Sequence, residues 1–77
     1  FGLEEYYFYN EYLKFIEMTN VPAYLRRRRE IRDMTQKQYA ELLGISFMNY
    51  KGYETGKVRL QYKCWETVMD VEEGYIF

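Results

Sequence analysis

Apolar residues recur every three to four positions along most of the chain, the repeat of an amphipathic helix, and nothing reads as a strand. "GLEEYYFYNEYLKFIEM" predicts a helix of about four turns. Phe8, Tyr12 and Phe15 lie along one stripe of it and Tyr9, Leu13 and Ile16 along the next, so its apolar face is wide. "TNVPAYLRRRREIRDM" restarts the chain, with Asn20 as a cap and Pro22 in a first turn where its missing N–H has no partner to lose. A second helix over residues 21–33 follows.

The third element carries the clearest local signal. Thr35 followed by Gln38 is a capping box, and Met34 with Tyr39 supplies the hydrophobic staple around it. Ala40 and Leu43 continue the inward stripe until Gly44, a residue free to turn left-handed, stops the helix. Ile45 and Ser46 then repeat the entry pattern: Ser46 caps a fourth helix, Ile45 can pack on Tyr50, and Gly56 ends it. Two helices of about eight residues joined through Gly-Ile-Ser must cross at a steep angle set by the short turn. A last helix from about Leu60 to Asp70 places Leu60, Cys64, Trp65, Val68 and Met69 on one side, and Glu72, Glu73 and Gly74 end it. With no repeat, linker or low-complexity stretch, the prediction is an all-α single domain of five helices.

"MTQKQYAELLGIS", continued by Tyr50 and "YETGK", resembles the helix-turn-helix of the Cro/repressor (XRE-like) family of bacterial and phage transcriptional regulators. The resemblance runs from about Leu25 to Trp65 and rests on Thr35, Gln36, Ala40, Leu43, Gly44, Ile45, Ser46, Tyr50, Tyr53, Glu54 and Gly56 at fixed spacing. It implies a lambda-repressor-like fold with an additional N-terminal helix: residues 21–77 form the helix-turn-helix domain, and residues 1–20 an aromatic helix that packs on it or forms a dimer interface. Ala40 is small because two helices nearly touch there, and Gly44 and Gly56 end helices in conformations a Cβ penalises. Arg29 falls where the family often has an arginine paired with the glutamate matched by Glu54; both are taken as structural. The fifth helix that usually follows in the family has no counterpart before Phe77, and the N-terminal helix is expected either to fill its place or to pair with its copy in a homodimer.

The family also implies that Gln36 and the backbone at Thr35 grip phosphates while the segment from Ser46 to Gly52 enters the major groove of double-stranded DNA. Lys51, Lys57 and Arg59 would neutralise neighbouring phosphates. The outward positions that commonly carry Gln, Arg or Ser are here Phe47, Met48, Asn49 and Gly52. Asn49 is the candidate for adenine, Lys51 for guanine, and Phe47 for a thymine methyl. An exposed Phe-Met pair is equally natural on a protein-binding surface. The expectation is a sequence-specific DNA-binding regulator, a repressor of phage or bacterial origin acting as a dimer. Its rival is a protein-binding module on the same fold, an antitoxin or an inhibitor of a host defence enzyme.

Composition narrows the chemistry. A single cysteine, Cys64, and no histidine leave no disulfide framework and no ordinary metal site, so no cofactor, metal or catalytic activity is expected. Cys64 and Trp65 are read as core. Ten tyrosines, five phenylalanines and one tryptophan exceed what a minimal core of 77 residues needs, which leaves some for an interface. No apolar run reaches membrane-spanning length and the N-terminal tyrosines and glutamates do not read as a signal peptide, so a cytoplasmic location is expected. The chain opens on Phe1 rather than Met, so upstream residues are expected.

Charge is segregated. Residues 1–20 set one lysine against four glutamates, residues 21–63 ten cations against four acids, and residues 64–77 four acids against none: balances of −3, +6 and −4. A basic centre between acidic ends points to a local anion-binding face that the net charge of −1 conceals. Of the four arginines from Arg26 to Arg29, Arg29 is assigned inward, and Arg26, Arg27 and Arg28 divide between phosphate contact and ordinary solvated surface. Glu4-Glu5 and Glu72-Glu73 are read as solvated ends rather than acid/base pairs.

Overall fold

The computed structural model describes the backbone of residues 3–75 and the side chains of residues 8–75, so the expectation for Glu4-Glu5 lies outside the described side chains. The elements are α1 (Leu3–Met18), α2 (Val21–Ile31), α3 (Gln36–Leu43), α4 (Phe47–Thr55) and α5 (Tyr62–Glu73), the five-helix all-α order expected, with no strand among the described residues.

The helix starts follow their caps. The Asn20 side chain accepts from the Ala23 N–H, Thr35 and Gln38 exchange both bonds of the capping box, and Ser46 Oγ accepts from the Asn49 N–H. Gly44 ends α3 in the left-handed region at φ 69°.

Two boundaries differ from expectation. Helix α2 stops at Ile31 rather than Asp33, because Asp33 itself takes a left-handed φ of 55°. The Asp33 N–H then bonds the Glu30 carbonyl and the Met34 N–H the Arg29 carbonyl, a Schellman closure made without glycine. Helix α5 starts at Tyr62 and runs through Glu73, so Leu60 lies in the connection before it, buried there all the same.

Leu25, Tyr39, Ala40, Leu43, Tyr50, Tyr53, Leu60, Trp65, Val68 and Met69 form one continuous core, which Tyr12 joins from α1. Aromatic edges knit the elements. Tyr39 meets Tyr50 at 5.5 Å and 88° between α3 and α4, and Phe15 meets Tyr24 at 5.3 Å and 90° between α1 and α2. Tyr12 lies edge-on to Tyr62 and Trp65, and its hydroxyl donates to the Leu60 carbonyl at 2.5 Å. Much of the aromatic surplus is therefore consumed in joining helices.

Candidate nucleic-acid interface

Helix α4 packs chiefly on α2 and α3, and its inner side is set by Tyr50, Tyr53 and Glu54, all buried. A carboxylate in such surroundings must be paired. Arg29 reaches it from α2, with Nη2 2.8 Å from Glu54 Oε1 and Nε 3.1 Å from Oε2, and the same guanidinium donates from Nη1 to the Met34 carbonyl at 3.1 Å. Burial alone would raise the Glu54 carboxyl; the two hydrogen bonds from Arg29, the arginine charge and the nearby polar groups of Tyr50 and Gln36 hold it below the ordinary carboxylate range. The Tyr50 hydroxyl sits beside the pair without a well-formed hydrogen bond, and burial first, then the carboxylate, push its pKa up.

A second carboxylate hub was not legible in the sequence. Glu72 is not the solvated end that its place in the sequence suggests: its side chain is fully enclosed. It accepts from Arg28 Nε at 3.2 Å, from Arg32 Nε and Nη2 at 3.0 Å, and from the Tyr39 hydroxyl at 2.6 Å. Desolvation opposes ionisation, yet bonds from Arg32, Tyr39 and Arg28 lower its pKa. These partners stand 44, 40 and 33 positions away in the chain, beyond any local signal. Glu73 remains exposed but accepts from the Tyr24 hydroxyl at 2.8 Å. Arg28 is thereby withdrawn from the phosphate-contact reading, whereas Arg26 and Arg27 are exposed.

With its inner side locked, α4 turns Ser46, Phe47, Met48, Asn49 and Lys51 to solvent. Phe47 is 39% exposed and Met48 75%. Thr35 is exposed at the mouth of α3, with Gln36 beside it half-buried and shared with the Glu54 carboxylate. Lys57 and Arg59 are exposed in the connection after α4.

Three details revise the expected site. Gly52 does not face outward: it is buried, a Cβ there would stand 2.8 Å from Val58 Cγ2, and its carbonyl accepts from the Val58 N–H at 3.2 Å. The glycine lets the following turn fold back onto α4. Lys51 places Nζ 5.5 Å from the Phe47 ring centroid, and Arg59 lies 5.8 Å over the Tyr12 ring of α1, so two of the three expected cations rest on aromatic faces.

Among the described residues no cluster of side chains suits a metal ion, and no helix is long and apolar enough to cross a membrane. A family model described as helix-turn-helix matches residues 25–62, from α2 through the first residue of α5. No curated protein and no solved structure gives a significant match.

Proposed function

We propose, from the premise that residues 25–62 belong to the Cro/repressor (XRE-like) helix-turn-helix family, that this chain represses transcription by laying α4 in the major groove of its operator. The family is one of DNA-binding regulatory domains, not of enzymes, and the chain is a DNA-binding regulator of that kind. The observation that carries the reading is the orientation of α4. The Arg29–Glu54 pair fixes one side of it inward while the capped first turn presents Phe47, Met48 and Asn49 outward.

Around that turn, Thr35 and Gln36 at the start of α3 and the cations Lys51, Lys57 and Arg59 supply phosphate contacts. The exposed first turn of α3 suits backbone N–H donation to a phosphate. A homodimer doubles this footprint on a palindromic site, with α1, which leaves Tyr9 and Met18 exposed, as the element for self-association. A cytoplasmic protein of phage or bacterial origin fits this role.

Fluorescence anisotropy with labelled duplex tests the proposal. Four cations per chain, Lys37 included, make eight in the homodimer and predict that affinity falls roughly ten-thousandfold between about 50 and 200 mM salt, and that K57E/R59E removes binding with helix content unchanged. Salt-independent binding, or none to any duplex, overturns it. The 75% exposure of Met48 beside Phe47 favours a second reading, a protein-binding module such as an antitoxin or an inhibitor of a host defence enzyme. In that case F47A/M48A abolishes partner capture while K57E/R59E leaves it intact.

A further inference from the structure

Resting on the DNA-binding reading above, we infer that α4 recognises the C5-methyl groups of thymine in the major groove through Phe47 and Met48, and not the hydrogen-bonding edge of guanine through Lys51.

Only a few side chains on α4 are free to read a base. Tyr50, Tyr53 and Glu54 face the core, and Gly52 is covered by Val58. Thr55 Oγ1 donates its proton to the Lys51 carbonyl at 2.7 Å, and Ser46 Oγ accepts the capping Asn49 N–H before the first turn, which leaves Ser46 a single O–H to offer. Lys51, one turn after Phe47 on the same stripe, holds its ammonium over the Phe47 ring. There it is a point charge suited to a phosphate and drawn away from a base edge.

What remains at the first two positions of the helix is a ring and a thioether, with Asn49 the sole amide. The choice of base follows from chemistry. Guanine, adenine and cytosine edges in the major groove are made of donors and acceptors, and pressing Phe47 and Met48 against them strips water without replacing its hydrogen bonds. Thymine alone among the four presents a methyl there. Burying it against the ring or the thioether gains apolar contact and leaves no polar group orphaned. 5-Methylcytosine presents the same methyl, so a methylated cytosine at a contacted position mimics thymine.

Duplexes enriched from a random pool by the full chain supply the test. Replacing thymidine by deoxyuridine removes only the methyl, and about 0.8 kcal/mol per buried methyl-sized group corresponds to about a fourfold loss of affinity at each contacted position. F47A and M48A, both at exposed sites, are expected to keep the helix content of the parent, bind the thymine duplex less tightly and lose the discrimination against deoxyuridine. Replacing guanine by 7-deazaguanine, which deletes an acceptor Lys51 would need, is expected to change nothing. Equal affinity for thymine and deoxyuridine duplexes, or a loss confined to 7-deazaguanine, overturns the inference while leaving the DNA-binding reading in place. Failure to enrich any duplex at low salt instead sinks that underlying reading.

Discussion

The Arg29 guanidinium and the Glu54 carboxylate meet along two hydrogen bonds of 3.1 and 2.8 Å, joining α2 to α4 across 25 positions of sequence. A point charge could hold α4 near α2; a two-pronged contact also fixes its roll, and so decides which side chains face outward.

Because the two side chains are only 19% and 5% exposed, removing one partner leaves a charge with little water to solvate it. R29A and E54A are each expected to cost about 3 to 5 kcal/mol, a large part of the roughly 4 to 12 kcal/mol available to a chain of this length. The double replacement R29M/E54L is expected to be more stable than either single variant. Urea denaturation followed by circular dichroism measures all three; a double variant as unstable as the sum of the singles shows that the pair is not the constraint described.

Glu54 and Glu72 both have carboxyls lowered by their hydrogen bonds and arginine partners against the opposing effect of burial. A group whose pKa is lower folded than unfolded stabilises the fold above its unfolded value, near 4.3, and the contribution disappears as pH falls through the folded value. Stability is therefore expected to be flat from about pH 6 to 5 and to drop below about pH 4. E72Q should be less stable at neutral pH and show a shallower acid limb, and an E72Q profile parallel to the parent from pH 6 to 2 removes Glu72 from the account.

Tyr39 and Tyr50 are buried hydroxyls with raised pKa values, from desolvation first and then from Glu72 and Glu54 respectively, while Tyr53 is pushed up to about 12 by burial and the Cys64 contact. Raised folded values stabilise the fold below the ordinary tyrosine pKa near 10, and that stabilisation is lost as pH climbs from there toward the folded values. Absorbance near 295 nm should show exposed tyrosines ionising first, and the buried set only together with loss of helical ellipticity. Smooth ionisation of every tyrosine with the helix signal intact contradicts the enclosure of these rings.

Two glycines separate conformational strain from crowding. A Cβ at Gly44 meets nothing within 4 Å but would sit on a left-handed residue, so G44A is expected to cost about 1 to 2 kcal/mol from the backbone alone. Gly52 is helical, where alanine ordinarily gains up to about 1 kcal/mol, yet its Cβ would lie 2.8 Å from Val58 Cγ2 and 3.2 Å from Val58 Cβ. Rotating Val58 relieves only the first contact, and the Val58 N–H to Gly52 carbonyl bond holds the turn in place. G52A is accordingly expected to destabilise by about 1 to 3 kcal/mol, with part recovered in G52A/V58A. A more stable G52A rules out the close approach.

The starts of α2, α3 and α4 were legible because Asn20, Thr35 with Gln38, and Ser46 act on N–H groups only three residues away. The stop at Gly44 is equally local. The stop at Asp33 was missed because nothing in its residue type demands a left-handed conformation; the Schellman bonds around it supply the reason. For the candidate site, the outward placement of Phe47, Met48 and Asn49 followed from the family resemblance, and the structure leaves all three exposed around the buried Tyr50 and Tyr53. The inward turn of Gly52 did not, because it depends on a connection that folds back after the helix ends.

By itself the sequence determined five helices, the N-terminal caps of α2, α3 and α4, and the Arg29–Glu54 brace that family resemblance pointed to. Tertiary structure alone decided where the charges go: Glu72 gathers Arg28, Arg32 and Tyr39 within the fold, while Lys51 and Arg59 lie against aromatic rings and keep an exposed charge. The physical reason is range. A cap acts within one helical turn, whereas the worth of a charge depends on how much water its surroundings exclude and which distant group replaces that water.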